Sequence, residues 1–174
     1  LSEDTDVTSL RFVALGDSYT IGTSVAEADR WPNVLVARLA AAAAPAVPPL
    51  ELVANLAANG FATADVIARE LPELDAVRPE FVSLLIGVND VVRGVPRAAY
   101  EANTAAILDA LLTRLPANRI VTVATPDYTV TPAGADYGDP LRQSLEILGC
   151  NAILRALAGQ RGIAYVDIFE LSRR

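Results

Sequence analysis

The sequence predicts an α/β fold, a three-layer α/β/α sandwich built on a five-stranded parallel sheet. Two observations predict this fold. Five apolar, β-branched runs are spaced along the chain, and segments of helical periodicity separate them. Near-continuous apolar runs are typical of parallel strands that are covered on both faces. The length of 174 residues fits a single domain, and we see no internal repeat or interdomain linker.

The apolar runs are the predicted strands. They cover residues 10–15, 50–55, 81–86, 119–124 and 163–168, with the sequences LRFVAL, LELVAN, FVSLLI, RIVTVA and IAYVDI. Because these runs are apolar almost throughout, we expect all five strands to be buried on both sides.

The segments between the runs predict four helices. One covers residues 31–43 with Pro32 near its start, one covers residues 63–74 with Thr63 as a possible cap, one covers residues 96–115 and one covers residues 139–162. Regular alternation of strand and helix implies right-handed crossovers and an open, doubly wound sheet. We predict the flavodoxin-like strand order 2-1-3-4-5 for this sheet.

Composition excludes several classes of partner. The net charge is −7, and the 14 basic residues are all arginines without a cluster that could follow a phosphate backbone. Nucleic acid is therefore not an expected partner. The longest apolar stretch follows Arg38 and is broken by prolines, so we expect no membrane span. Cys150 is the one cysteine, which excludes an internal disulfide, and we expect it to be buried.

Three polar, glycine-containing turns follow the first three predicted strands. Their sequences are GDSYTIG at 16–22, NLAANGFAT at 55–63 and GVNDVVRG at 87–94. Ligands of such sheets gather at the carboxyl ends of the strands, so a site built from the three turns is geometrically plausible. We also expect the loop at 125–140 to form a wall of this site, with Tyr128 and Tyr137 as candidate contacts or as ordinary packing residues.

The first turn also suggests an alternative. The chain contains no lysine, which excludes a Walker A loop. A phosphate loop of the flavodoxin type remains possible, because Ser18, Thr20 and Thr23 offer hydroxyl groups before a helix. Asp17 weakens this alternative, since it would place a negative charge beside a bound phosphate.

The segments GDSYTIG, NGFAT and GVND resemble the first three sequence blocks of the SGNH, or GDSL-type, hydrolases, in the same order and with similar spacing. The resemblance extends over essentially the whole chain. It implies a serine esterase that acts on small-molecule carboxylic esters or thioesters without a metal or an organic cofactor. Ser18 matches the nucleophile, and the Gly60 N–H and the Asn89 side-chain amide match oxyanion-hole donors. The residues alone also allow Ser18 as a helix cap and Asn89 as a turn residue.

The family's fifth block, D-x-x-H, has no counterpart here, because the chain contains no histidine. We expect the histidine and its aspartate to lie beyond Arg174, and we interpret residues 1–174 as one SGNH-hydrolase-like domain that is incomplete at both ends. Glu170 with Asp167 is a poor substitute, since a carboxylate with a pKa near 4.3 is a weak base for a serine hydroxyl. The alternative hypotheses are a flavin- or phosphate-binding module and an inactive, ligand-binding relative.

The sequence ends shortly after the fifth predicted strand, and we expect the C-terminal helix of the fold to be missing. In a sheet of order 2-1-3-4-5, that helix packs beside the helix after the first strand. Apolar side chains of residues 163–169 on this face are then exposed or covered by another molecule. The sequence therefore predicts that self-association through the uncovered sheet face is possible, and that the chain itself is nearly inactive.

Overall fold

The computed structural model describes residues 9–42 and 48–174. The predicted incompleteness at the amino terminus and the last residue of the helix predicted over 31–43 lie outside the described residues. Five parallel strands form one sheet of order β2-β1-β3-β4-β5. The α/β class and the predicted order 2-1-3-4-5 are both confirmed.

The five strands follow the five apolar runs closely. They are β1 Leu10–Gly16, β2 Leu50–Asn55, β3 Phe81–Leu85, β4 Ile120–Val123 and β5 Ala164–Val166. Solvent does not reach the middle of the sheet, where residues 12–15 of β1 are fully buried. The prediction of complete burial is wrong for the two edge strands, because β2 contains no fully buried residue and β5 leaves Val166 45% exposed.

Helices cover one face of the sheet fully and the other in part. On the full face, α6 (Arg97–Leu112), α7 (Pro140–Gln160) and the segment 63–77 pack on the inward side chains of β1, β3 and β4. On the other face, α2 (Trp31–Ala42) packs beside β2, and the Trp31 ring lies 6.5 Å from the Phe12 ring. These layers form the predicted α/β/α sandwich. No helix within the described residues is long and apolar enough to cross a bilayer.

The segment 63–77 differs from its prediction as a single helix. It is divided into α3 (Thr63–Asp65), a π-helical turn (Val66–Glu70), a 3₁₀ turn (Leu71–Glu73) and α4 (Leu74–Val77). Pro72 contributes to the change, because proline has no N–H to donate to the preceding turn. Thr63 is the first residue of α3, and its hydroxyl donates to Asp90 Oδ1 at 2.6 Å rather than capping the helix.

The partly covered face carries a groove of about 550 Å³ between α2 and strands β3 to β5. We call it the apolar groove. Its lining contains no charged residue and consists of Tyr19, Trp31, Leu35, Leu39, Leu50, Phe81, Leu85, Val121, Val123, Pro126, Val166 and Ile168. This is the sheet face that the sequence predicted to be open.

Candidate active site

Ser18 lies where β1 turns into the short helix α1 (Ser18–Ile21). Asp17 caps this helix by accepting from the Tyr19 N–H at 3.0 Å. Gly16 has a φ of +150°, and a Cβ there would lie 2.2 Å from the Leu85 carbonyl oxygen. The turn therefore requires glycine at this position, and it presents Ser18 at the carboxyl end of β1, which lies beside the central strand β3.

Ser18 and Asn89 line the same cavity, which has a volume of about 370 Å³. We call it the Ser18 cavity. Its other lining residues are Tyr19, Asn59, Val88, Val92, Tyr128, Thr131, Ala133 and Tyr137. Asn89 belongs to α5 (Val88–Val92), which begins directly after β3. The first and third predicted turns therefore meet in one cavity, and Asn59 brings the second turn to it.

Gly60 follows Asn59 and does not itself line the cavity. Its φ of +82° lies in the region that favours glycine. Two side chains, one from α5 and one from the residue directly after it, hold the turn around Gly60. Asn89 Nδ2 donates to the Phe61 carbonyl at 2.8 Å, and Arg93 Nη2 donates to the Gly60 carbonyl at 2.5 Å. Asn89 and Arg93 are four residues apart and so project from one side of the helix. This spacing is the sequence signal from which Arg93 could have been predicted.

Three buried carboxyl groups lie around the Ser18 turn. Glu70 Oε2 accepts from the Gly16 N–H at 2.9 Å, and Asp90 Oδ2 accepts from the Thr63 N–H at 3.0 Å. Burial raises the pKa of Glu70 to about 8, with a further increase from the charge of Asp17. Burial also raises the pKa of Asp17 to about 7 and raises the pKa of Asp90.

The loop at 125–140 forms one wall of the Ser18 cavity through Tyr128 and Tyr137, whose rings lie 5.6 Å apart edge to face. Asp127 organises the start of this loop. Its Oδ1 accepts from the Thr129 hydroxyl at 2.6 Å, and its Oδ2 accepts from the Ser144 hydroxyl at 2.8 Å. The loop aromatics predicted as candidate contacts therefore do border the cavity that contains Ser18.

Asp167 and Glu170 lie elsewhere. They line a separate cleft of about 260 Å³ with side chains of α7, and neither borders the Ser18 cavity. Asp167 Oδ1 accepts from the Phe169 N–H at 3.1 Å and so stabilises the turn after β5. This position gives no support to Glu170 as the base for Ser18. Within residues 9–42 and 48–174, no group of three or more histidine, cysteine, aspartate or glutamate residues could hold a metal ion.

Comparison with known proteins identifies the family. The model of the GDSL-like lipase/acylhydrolase family matches residues 14–174. The chain belongs to this family. The resemblance to GDSL-type hydrolases that the three turns carried is therefore confirmed, and the same three turns meet at the Ser18 cavity. No curated protein sequence matches the chain.

Solved structures of two esterases and a lipase share the fold. A variant of an acetyl xylan esterase from Geobacillus stearothermophilus aligns with a TM-score of 0.69 at 18% identity, over 95% of this chain and 79% of that one. An extracellular lipase from Streptomyces rimosus aligns with a TM-score of 0.61 at 22% identity, over 93% and 81%. An SGNH-hydrolase family esterase aligns with a TM-score of 0.65 at 23% identity, over 91% and 76%.

Proposed function

We propose that this GDSL-like acylhydrolase is a serine esterase that hydrolyses carboxylic esters or thioesters through an acyl-enzyme on Ser18. The observation that supports this most directly is the meeting of Ser18 and Asn89 in one cavity of about 370 Å³ at the carboxyl edge of the sheet. An ester carbonyl in this cavity would lie between a hydroxyl nucleophile and an amide donor. Acyl transfer of this kind needs neither a metal nor an organic cofactor.

In the proposed reaction, Ser18 Oγ bonds to the carbonyl carbon and loses its proton to a base. The oxygen of the tetrahedral intermediate accepts hydrogen bonds from the N–H groups of Ser18 and Gly60 and from Asn89 Nδ2. The absence of a hydrogen bond from either N–H group within the described part of the chain supports this proposal. The alcohol or thiol leaves with the proton, and water then releases the acid and restores Ser18.

The base is the part of the machinery that these 174 residues do not contain, because there is no histidine. We propose that a D-x-x-H pair follows Arg174 and completes a single domain. Catalytic mutants of the Geobacillus esterase replace a serine, an aspartate and a histidine, and the last two lie three positions apart in its sequence. Without the pair, the oxyanion hole and binding alone give a rate roughly 10³- to 10⁴-fold above that in water.

The absence of histidine also favours a second candidate function, an inactive relative that binds an ester or acyl ligand in the same cavity. A flavin- or phosphate-binding module has less support, because Asp17 is buried beside the turn that would hold the phosphate. A module of that type would bind added FMN stoichiometrically and quench its fluorescence, whereas the esterase would leave the fluorescence unchanged.

The proposal is tested by the hydrolysis of p-nitrophenyl acetate, using the longer protein that includes the proposed D-x-x-H pair. Ser18→Ala is expected to abolish turnover, and Asn89→Ala to lower kcat by roughly 10²- to 10³-fold through loss of one oxyanion donor. Asn118→Ala, which changes an exposed asparagine outside the cavity, is the matched control. Full activity in Ser18→Ala would exclude Ser18 as the nucleophile, and no activity in the unsubstituted protein would favour the ligand-binding relative.

A further inference from the structure

Another cleft, of about 480 Å³, lies between α5, the residues that follow it and the first half of α7. We call it the arginine cleft, because three arginines line it. Its full lining is Val91, Val92, Arg93, Gly94, Val95, Pro96, Arg97, Arg142, Gln143, Glu146 and Cys150. The volume is within the range of about 300 to 1,000 Å³ that is typical of small-ligand sites.

The arginine cleft is positively charged in a protein whose net charge is −7. Three guanidinium groups and one carboxylate, that of Glu146, line it. Cys150 adds no negative charge, because burial raises the pKa of its thiol to about 12. A concave surface with an excess of one sign of charge concentrates the electrostatic potential and attracts ions of the opposite sign.

The existing ion pairs leave part of this charge available. Arg93 pairs with Asp65 at 3.2 Å, and Arg97 pairs with Glu146 at 3.0 Å through Nε. The side chains of Arg93 and Arg97 are 52% and 54% exposed, so their remaining N–H groups face the cleft or solvent. Arg142 forms no ion pair with any residue in the described ranges.

Arg97 is held in place by the helix opposite. Its guanidinium packs on Gly149, where a Cβ would lie 2.5 Å from Nη2 and 2.6 Å from Cζ. Gly149 lies inside α7, where glycine costs roughly 1 kcal/mol relative to alanine. Glycine at position 149 therefore allows the Arg97 guanidinium to lie directly against α7, and a side chain there would displace it. A seated guanidinium loses less side-chain entropy when it binds an anion.

The arginine cleft adjoins the Ser18 cavity. Val92 lines both, and the hydrogen bond between the Tyr128 hydroxyl and Gln143 joins a wall residue of the Ser18 cavity to one of the arginine cleft. Val92 is 37% exposed, so a molecule that extends across its side chain would reach from the Ser18 cavity to the arginine cleft.

We infer that the arginine cleft is a subsite for an anionic group, a carboxylate or a phosphate, carried by the ester substrate. Guanidinium groups match both through paired N–H donors. Arg97 and Arg142 both line the cleft and would donate to this group, and Val92 borders both the cleft and the cavity of the reacting carbonyl. The preference for an anionic ester rests on the proposed function, whereas the binding of an anion by the cleft does not.

Anion binding is tested first on the 174-residue chain, without any need for turnover. Inorganic phosphate is titrated into ¹⁵N-labelled protein, and the arginine Nε–Hε signals are followed by NMR. We expect saturable shifts at Arg97 and Arg142 in the millimolar range, and loss of saturation in Arg142→Glu. Arg38→Glu makes the same change of charge at an exposed position on α2 and should leave the binding unchanged. Shifts that do not saturate, or that persist in Arg142→Glu, would overturn the site.

The link to the substrate is tested on the longer protein that includes the proposed downstream D-x-x-H pair, by the rate that depends on Ser18, taken as the difference from Ser18→Ala. The p-nitrophenyl monoesters of glutarate, adipate and pimelate are compared with neutral esters of equal chain length, and monoesters that end in a phosphate form a second series. We expect kcat/KM to favour one anionic series by about fivefold to tenfold, and Arg142→Ala to remove the preference. Phosphate binding without any such preference would overturn the assignment to the substrate. A complete lack of Ser18-dependent hydrolysis would contradict the proposed function and leave the phosphate result standing.

Discussion

Glu70 connects the segment 63–77 to the turn that carries Ser18, through its hydrogen bond to the Gly16 N–H. Its side chain is almost fully buried, and its second oxygen, Oε1, has no hydrogen-bond partner within the described residues. An ionised carboxylate in that position would lack most of its solvation, so the folded state favours the protonated form. Asp17 lies close enough for its charge to add to this preference.

This preference predicts that stability falls as pH rises. The pKa of Glu70 is raised from 4.5 to about 8, so between these values the folded state holds a proton that the unfolded state has released. The free energy of unfolding is therefore highest below the unfolded pKa and decreases by about 1.4 kcal/mol per pH unit for one such proton. We expect Glu70→Gln, which keeps an acceptor for the Gly16 N–H, to make this decrease shallower. The measurement is urea unfolding across a range of roughly pH 5 to 8, which extends from near the unfolded pKa to the folded pKa.

The control for this experiment is Glu73→Gln, which removes an exposed carboxylate from the same segment. It should retain the slope of the unsubstituted protein. Asp17, whose pKa is raised to about 7, adds to the slope in all three proteins, so we expect Glu70→Gln to reduce the slope without abolishing it. An equal slope in Glu70→Gln and in the unsubstituted protein would show that Glu70 does not carry the proton.

At the scale of single elements, the junction of β1 and α1 has the strictest steric requirement. Gly16→Ala would place a Cβ 2.2 Å from the Leu85 carbonyl oxygen and 2.6 Å from Thr20 Oγ1, at a φ of +150°. We expect this substitution to lower the free energy of unfolding by about 2 to 4 kcal/mol, through backbone strain and overpacking. Gly159→Ala is the matched control, because Gly159 lies in α7 with no atom within 4 Å of the added Cβ.

Chemical denaturation of the two variants distinguishes local strain from a general effect of replacing glycine. Gly159→Ala should be neutral or stabilising by up to about 1 kcal/mol, because alanine favours the helix. If Gly16→Ala proved as stable as Gly159→Ala, the Ser18 turn would be able to adjust its backbone, and glycine would not be required there.

The segment 63–77 shows what local sequence patterns do not contain. Its apolar spacing predicts one helix, and the segment is indeed helical in character. The π-helical turn ends at Glu70, whose side chain accepts a hydrogen bond from the Gly16 N–H of β1, 54 positions away in sequence. A contact of this kind is set by tertiary packing, which local propensity does not describe. Tertiary packing also explains why the Thr63 hydroxyl donates to Asp90 on α5 and does not cap its own helix.

At the scale of the whole molecule, strand order was predictable because five buried apolar runs alternating with helices allow few topologies. The convergence of the Ser18 and Asn89 turns also followed, since the carboxyl ends of neighbouring parallel strands meet at one edge. The arginine cleft was not predictable. Arg93 and Arg97 are far from Arg142 in sequence, and only the packing of α5 and α6 on α7 brings the three arginines to one cleft.

The apolar groove leads to the last prediction, which concerns association of the chain with itself. Its lining has no charged side chain, and Val166 at its margin is 45% exposed on the edge strand β5. In a solution that contains only this chain, a second copy is the one molecule that can cover the groove. Burial of the groove stabilises such a complex by roughly 25 cal/mol per Å² of apolar surface.

We expect sedimentation velocity to show association that increases with protein concentration. Val166→Asp and Leu39→Asp, on the two sides of the groove, should shift the protein toward monomer, whereas Leu141→Asp, at a position on α7 that is 72% exposed and outside the groove, should not. A monomer at all concentrations, or equal association in all three variants, would show that this face does not mediate self-association.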